Sequence, residues 1–251
     1  MQYNKVYQGD CLEIMNEIDG KSIDMILCDL PYGTTNCKWD TPVNLQELWQ
    51  HYERIIKDNG AIVLFGQAPF DKVLGASNLR LLRYEWVWEK TAATGHLNAK
   101  KMPLKAHENI LVFYKKLPVY NPQKTQGHNP VNSYTKYLDV QNKSEIYNNV
   151  SKEISGGGNT DRYPRSVLQF ASDKQKLNLH PTQKPLALCE YLIKTYSNEG
   201  DIILDNCAGS GTTLLAAQNW NRNFIGIELE EKYVEISRRR VSQSNQLQMC
   251  H

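Results

Sequence analysis

The sequence predicts an α/β protein built on a doubly wound, mostly parallel sheet, and three observations carry that reading. Short apolar runs alternate with amphipathic stretches in both the first and the last part of the chain. Two of those runs deliver chemistry-bearing turns, Asp29-Leu30-Pro31-Tyr32-Gly33 and Asp205-Asn206-Cys207-Ala208-Gly209-Ser210-Gly211-Thr212-Thr213. Open α/β sheets present functional groups in this way, at the carboxyl ends of their strands. Between the two lies a stretch, residues 115–176, in which Asn, Gln, Ser, Tyr and Lys dominate and apolar periodicity is weak.

Element by element, residues 10–17 read as a helix and residues 22–28 (SIDMILC) as a buried strand. Apolar residues Leu45, Leu48, Trp49, Tyr52, Ile55 and Ile56 recur at helical spacing over 45–57, and Asn59-Gly60 is a helix stop signal. Residues 61–65 form the next strand, 70–78 a helix, and 84–88 and 109–114 two further strands. In 115–176, Gly156-Gly157-Gly158 interrupts a long surface insertion whose aromatic content argues against full disorder. Order returns with a helix over 186–197 after Pro185, a strand at 201–204 and a helix at 212–220. A strand at 224–227 and a helix at 231–242 follow, with Arg238, Arg239 and Arg240 in that helix's last turns, where cations suit the macrodipole.

Composition bounds the class. With 251 residues, 41% apolar and 22% charged, the chain reads as an ordinary globular protein of one to two domains. No apolar stretch approaches the length of a membrane span, and the first residues lack the apolar core of a signal peptide. A cytoplasmic location is therefore expected. Six scattered cysteines, with no C-x-x-C pair and no neighbouring His cluster, argue against zinc and against a disulfide framework. The net charge of +2 is uninformative, but its distribution is not. Lys90, Lys100, Lys101, Lys105, Lys115, Lys116, Lys124, Lys136 and Lys143 crowd one stretch, interleaved with Trp86, Trp88, Tyr114, Tyr120, Tyr134 and Tyr137. A solvated face accounts for such a run equally well, yet basic and aromatic residues together suit phosphate contact and base stacking.

The chemistry of the two turns differs. In 205–213 a strand delivers an acid and then Gly-Ser-Gly opens a helix, so backbone can approach a ligand closely. Glu228 ends the following strand, where an acid accepts hydrogen bonds from ribose hydroxyls. Thr212-Thr213 follows Gly211, so neither the pyrophosphate fingerprint of dinucleotide enzymes nor a P-loop lysine is present. An adenosine ligand without phosphates fits, with Asp205 facing an ammonium; read alone, the segment is also compatible with a plain strand-to-helix turn. In 29–33 a carboxylate, a main-chain carbonyl at Leu30, a proline-stiffened turn and an aromatic face converge. Hydrogen bonds from an exocyclic amino group to Asp29 and the Leu30 carbonyl would localise the nitrogen lone pair, which ring conjugation otherwise delocalises. A generic turn at a strand end is the alternative.

With these residues in hand, the chain resembles the amino-methylating DNA methyltransferases that use S-adenosylmethionine. Asp29-Leu30-Pro31-Tyr32 is similar to the family's D/N/S-P-P-Y/F/W catalytic motif, and 205–213 to its cofactor motif. Phe224-Ile225-Gly226-Ile227-Glu228 resembles the ribose-binding strand, and His180-Pro181-Thr182-Gln183-Lys184-Pro185 the H-P-T-Q-K-P element before the cofactor motif. Gly9-Asp10 sits where the family places an acid near the cofactor adenine, and His107-Glu108-Asn109-Ile110-Leu111-Val112-Phe113 looks like its late strand. The order, catalytic motif first and cofactor motif last, resembles the β group, a circularly permuted methyltransferase fold with its recognition region in the middle. Departures are Leu30 for the motif's first proline and Asn206-Cys207 for the usual Pro and Phe.

The resemblance implies S-adenosyl-L-methionine as cofactor and transfer of its methyl to the N6 amino group of an adenine flipped out of double-stranded DNA. Catalysis would fall to Asp29, Leu30, Pro31 and Tyr32. Cofactor binding would fall to Asp10, Cys11, Asp29, His180, Thr182, Lys184, Pro185, Asp205, Cys207, Gly209, Ser210, Gly211, Thr212, Thr213, Glu228 and Leu229. DNA would meet Lys90, Lys100, Lys101, Lys105, Lys124 and Lys136. The expected division is 1–114 as the catalytic half, 115–176 as the recognition insertion and 177–251 as the cofactor half. A homodimer and a cognate restriction endonuclease are further partners to look for; no metal and no membrane are expected. Cytosine N4 methylation, methylation of glutamine amides or RNA, a non-catalytic DNA-binding protein on the same scaffold and a nicotinamide dehydrogenase stand as alternatives.

Overall fold

The run Ile23–Cys28 is apolar at nearly every position because it is covered on both faces. Met25 and Leu27 join one buried cluster, and Ile26 and Cys28 join another on the opposite side of the sheet. The computed structural model describes residues 1–33, 42–137, 153–173 and 183–248. Ten strands are described: β1 (Lys5–Gln8), β2 (Ile23–Cys28), β3 (Ile56–Gly66), β4 (Leu82–Thr94), β5 (Lys105–Phe113), β6 (Tyr134–Tyr137), β7 (Glu153–Gly156), β8 (Val167–Phe170), β9 (Ile202–Asp205) and β10 (Asn223–Glu228). The helices are α1 (Cys11–Ile14), α2 (Leu45–Ile55), α3 (Phe70–Ser77), α4 (Leu186–Tyr196), α5 (Thr212–Asn219) and α6 (Glu231–Gln248).

Eight strands form one sheet in the order β1-β10-β9-β2-β3-β5-β4-β8. Every pairing is parallel except those of β5, which runs antiparallel to both β3 and β4. Leu188, Leu192, Ile193 and Tyr196 of α4, Leu214 and Ala217 of α5 and Val234 of α6 cover one face. Leu48, Trp49, Tyr52 and Ile55 of α2 and Leu74 of α3 cover the other. β9 and β2 lie side by side, yet the chain leaves β9 toward β10 and leaves β2 toward β3. Their carboxyl ends therefore flank a topological switch point, the place where open α/β sheets hold ligands.

The fold extends the expected elements in specific places. β1 and β8 were absent from the reading of the sequence: β1 buries only Val6, and both are four-residue strands at the sheet's edges, too short for a period to show. The helix expected over 45–57 stops at Ile55, because Ile56 pairs with Ile23 and opens β3. Asn59-Gly60, expected to stop the helix, instead lies inside β3 where the register with β2 shifts; a Cβ on Gly60 would stand 2.7 Å from the Asp24 carbonyl.

The chain divides into two compact units, Met1–Asn121 with Ser166–His251, and Pro122–Arg165. The smaller unit is narrower than the 115–176 stretch delimited by composition, since β8 pairs with β4 in the main sheet. It contains the antiparallel pair β6–β7 and a bridge between Thr125 and Arg162. Among the described residues no helix is long and apolar enough to cross a membrane.

Candidate active site

At the carboxyl ends of β1, β10, β9, β2 and β3 a cavity of about 610 Å³ opens, lined among others by Asp10, Asp29, Tyr32, Glu108, Lys184, Asp205, Gly209 and Glu228. That volume suits a ligand of nucleoside size. The two motifs recognised in the sequence meet in it, although they lie at opposite ends of the chain.

On one side the turn after β9 is tied down from several directions. The Gly209 N–H donates to Glu228 Oε2 at 2.7 Å, and Glu230 N–H donates to Glu228 Oε1 at 2.9 Å. Burial raises the Glu228 carboxyl above its ordinary range. Gly211 has φ 76°, and a Cβ there would strike the Ser237 side chain, so the turn requires glycine. Arg240 donates to the Ser210 carbonyl at 2.7 Å, clamping the turn to α6. Asp205 is buried, and burial pushes its carboxyl up to about 7, against hydrogen bonds from Thr213 and the Cys207 N–H. Asn206, where the family pattern has proline, is buried with its Oδ1 accepting from the Tyr52 hydroxyl at 2.6 Å. Asp10 caps α1, accepting from Leu12 N–H at 2.8 Å. Cys11 and Cys207 line the cavity with their thiols hydrogen-bonded to each other, and Cys28 lies buried behind them.

On the other side Asp29 follows β2. Its Oδ1 accepts from the Tyr32 hydroxyl at 2.6 Å, and its Oδ2 from the Lys184 ammonium at 2.6 Å. Burial raises the Asp29 carboxyl, and Lys184 opposes that rise. Tyr32 stacks on Phe70, with centroids 4.9 Å apart and planes at 25°. Leu30 is buried at the cavity wall. Lys184 also approaches Glu108 Oε2 at 3.1 Å, while Glu108 Oε1 receives Lys90 at 2.6 Å. Burial disfavours the Glu108 charge, but Lys184 and Lys90 together hold its carboxyl below the usual range.

Of the residues assigned to the site from sequence, the cavity is lined by Asp10, Cys11, Asp29, Leu30, Pro31, Tyr32, Lys184, Asp205, Cys207, Gly209, Ser210, Thr212, Thr213, Glu228 and Leu229. Gly211 lies buried just beside it, and Pro185 caps α4. His180 and Thr182 lie outside the described residues. Lys90, expected to meet DNA, has only 9% of its side chain exposed and is ion-paired with Glu108 inside the cavity. Lys100, Lys101 and Lys105 are exposed, Lys105 reaching Gln67 at 3.2 Å. Lys124, in the smaller unit, pairs with Asp161 at 2.8 Å and sits over the Tyr163 ring; Lys136 stands on β6. Glu108, Phe70 and the Tyr52–Asn206 bond were not foreseen. An acid just ahead of the apolar run Ile110-Leu111-Val112-Phe113 of β5 was the available signal for Glu108. Among the described residues no group of three or more His, Cys, Asp or Glu is arranged to hold a metal.

Comparison with known proteins places this geometry. Over 255 residues the chain is 27% identical to the type II methyltransferase M1.MboII of Moraxella bovis, covering 93% of this chain and 95% of that one. It is 28% identical to the DNA adenine methyltransferase YhdJ of Escherichia coli K12, covering 94% of this chain and 82% of that one. Among solved structures, the M1.HpyAVI–SAM complex superposes with a TM-score of 0.63 at 25% identity, covering 94% of this chain and 98% of that one. The cytosine-N4-specific PvuII DNA methyltransferase shares the fold, with a TM-score of 0.65 at 17% identity, covering 95% of this chain and 90% of that one. The family model for N6/N4 DNA methylases matches residues 23–239, a span that runs from β2 and the Asp29 turn through the glycine turn into α6, and the chain belongs to that amino-methylating DNA methylase family.

Proposed function

We propose that the protein is a site-specific DNA adenine N6-methyltransferase, with S-adenosylmethionine as methyl donor. The observation that carries the reading is the meeting of Asp29, Leu30 and Tyr32 with the Asp205–Thr213 turn in a single cavity at the switch point of the sheet. The residues present fit the donor. Glu228 and Asp10 offer carboxylates for ribose hydroxyls and adenine, the glycine turn offers bare backbone, and buried Asp205 offers a partner for an ammonium. When bound, S-adenosylmethionine supplies an electrophilic methyl group on a sulfonium.

The chain's own residues position the nucleophile. Asp29 and the Leu30 carbonyl accept the two amino hydrogens of the flipped adenine, drawing the nitrogen toward tetrahedral geometry so that its lone pair is free for in-line attack. Tyr32, backed by Phe70, stacks on the base with its outer face. Holding the reacting atoms in line accounts for most of the rate. The target nitrogen is unreachable inside a stacked duplex, so the base is flipped. The exposed lysines 100, 101 and 105, together with Lys124 and Lys136 of residues 122–165, are assigned to the DNA.

Asp29→Ala is expected to reduce transfer of labelled methyl groups to DNA by at least about 100-fold while binding of S-adenosylmethionine persists in calorimetry. Undiminished transfer would sink the assignment. Digestion of the methylated DNA to nucleosides and mass spectrometry then reads the product, and N4-methylcytosine in place of N6-methyladenine would replace the adenine reading.

A further inference from the structure

The target side of the cavity holds more charge than a single acceptor for an amino group requires. Five side chains form an unbroken chain: Lys90 to Glu108 at 2.6 Å, Glu108 to Lys184 at 3.1 Å, Lys184 to Asp29 at 2.6 Å, and Asp29 to the Tyr32 hydroxyl at 2.6 Å. They come from β4, β5, the residues just before α4 and the turn after β2. Lys184 has 8% of its side chain exposed, and its ammonium also lies 5.2 Å from the centre of the Phe65 ring. An ammonium so buried is costly unless paired, and here two carboxylates share it. Pro185 follows directly, which confines the Lys184 backbone to the extended region and fixes the root of the side chain. The Glu108 Oε2 atom is buried, and the Lys184 ammonium lies 3.1 Å from it.

Resting on the methyltransferase reading above, we propose that Lys184 is a positioning residue for methyl transfer, fixing the Asp29 carboxylate through Oδ2 so that Oδ1 faces the base, and that Glu108 acts through Lys184. Lys184 thus belongs to the target side of the cavity and not to the cofactor, where the family motif alone had placed it. Asp29 Oδ1 already accepts one hydrogen bond, from Tyr32, and the incoming amino group adds to it or displaces it; Oδ2 stays with Lys184 throughout. The charged and titratable groups facing Asp29 are Lys184, Glu108, Tyr32, Cys28, Cys189 and Asp205, with Lys90 one step further through Glu108. Of these, Lys184 and the hydrogen bond from the Tyr32 hydroxyl favour the ionised carboxylate, and Glu108 opposes it.

The test uses the full chain, with Lys184→Met, Glu108→Gln and the double variant. Transfer of labelled methyl groups to unmethylated genomic DNA is followed from pH 5.5 to 9, with affinity for S-adenosylmethionine measured by calorimetry. Lys184→Met is expected to lower kcat about 100-fold and to move the acidic limb of its pH profile upward by roughly one unit or more, with cofactor affinity within about threefold of wild type. Glu108→Gln should cost about tenfold, and the double variant should be no slower than Lys184→Met alone, because residues that act through one another are not additive. An unchanged kcat and acidic limb in Lys184→Met, or a loss confined to cofactor affinity, overturns the proposal. Multiplying losses in the double variant overturn the role of Glu108. Should Lys184→Met fail to fold, the isosteric Glu108→Gln decides, and wild-type kcat in it overturns the proposal. A wild-type protein that transfers no methyl to DNA removes the underlying reading, whereas unaffected variants of an active wild type remove this inference alone.

Discussion

At the residue scale, Asp205 shows how burial prepares a charge for a partner. Its carboxyl, pushed up to about 7, holds a proton between roughly pH 4 and 7 that the unfolded chain has already lost. The native state therefore binds more protons in that window, and Asp205 makes the protein less stable as pH rises through it. An ammonium placed against Asp205 reverses this, because it favours the ionised carboxylate and expels the proton. Affinity for S-adenosylmethionine should accordingly rise with pH up to about 7, by nearly tenfold per unit at the acidic end. Asp205→Asn should flatten the dependence. Calorimetry across pH 5–8 checks both, and a flat wild-type curve would place the ammonium elsewhere. Asp205 and Asp29 were legible in the sequence because each sits inside its own local pattern. The pairing of Lys184 with Asp29 was not, since 155 residues separate the partners and no local pattern can encode such a contact.

At the element scale, legibility follows burial on two faces. β2 and β9, covered on both sides, are nearly continuous apolar runs and were readable within a residue. β1 and β8 at the edges were not. β5 was readable as a strand, but its antiparallel direction depends on which strand it pairs with, and nothing in its own residues states that. The departures from the family pattern also resolve between elements. Asn206 is polar where proline is usual because α2 supplies Tyr52, whose hydroxyl crosses the sheet end to reach it. Tyr52→Phe leaves the buried Asn206 Oδ1 without that donor and is expected to cost about 1–3 kcal/mol. Thermal denaturation would read this as a fall of roughly 2–4 °C per kcal/mol. An unchanged Tm would show that the glycine turn does not depend on α2.

At the scale of the whole molecule, the proposed function divides between the two compact units, with methyl transfer in the larger and target recognition in residues 122–165. Among the described residues, both buried clusters, one on each face of the main sheet, are made without any residue of Pro122–Arg165. The described residues that line the cavity belong to the larger unit. Residues 122–165 hold themselves together instead with the β6–β7 pair, the Thr125–Arg162 bridge and the Lys124–Asp161 ion pair. Replacing Pro122–Arg165 with a short Gly/Ser linker should therefore leave the main sheet folded and the affinity for S-adenosylmethionine within about threefold of wild type, since long loop changes cost little closure entropy. If residues 122–165 carry the proposed recognition role, methyl transfer to DNA should fall to background, because the binding energy that selects and opens the duplex goes with the removed segment. Calorimetry and circular dichroism establish the first half, and sequencing of modified bases in cellular DNA the second. Retention of methylation at the same sites by the shortened chain would move target recognition out of residues 122–165 and onto the exposed Lys100, Lys101 and Lys105 of the larger unit.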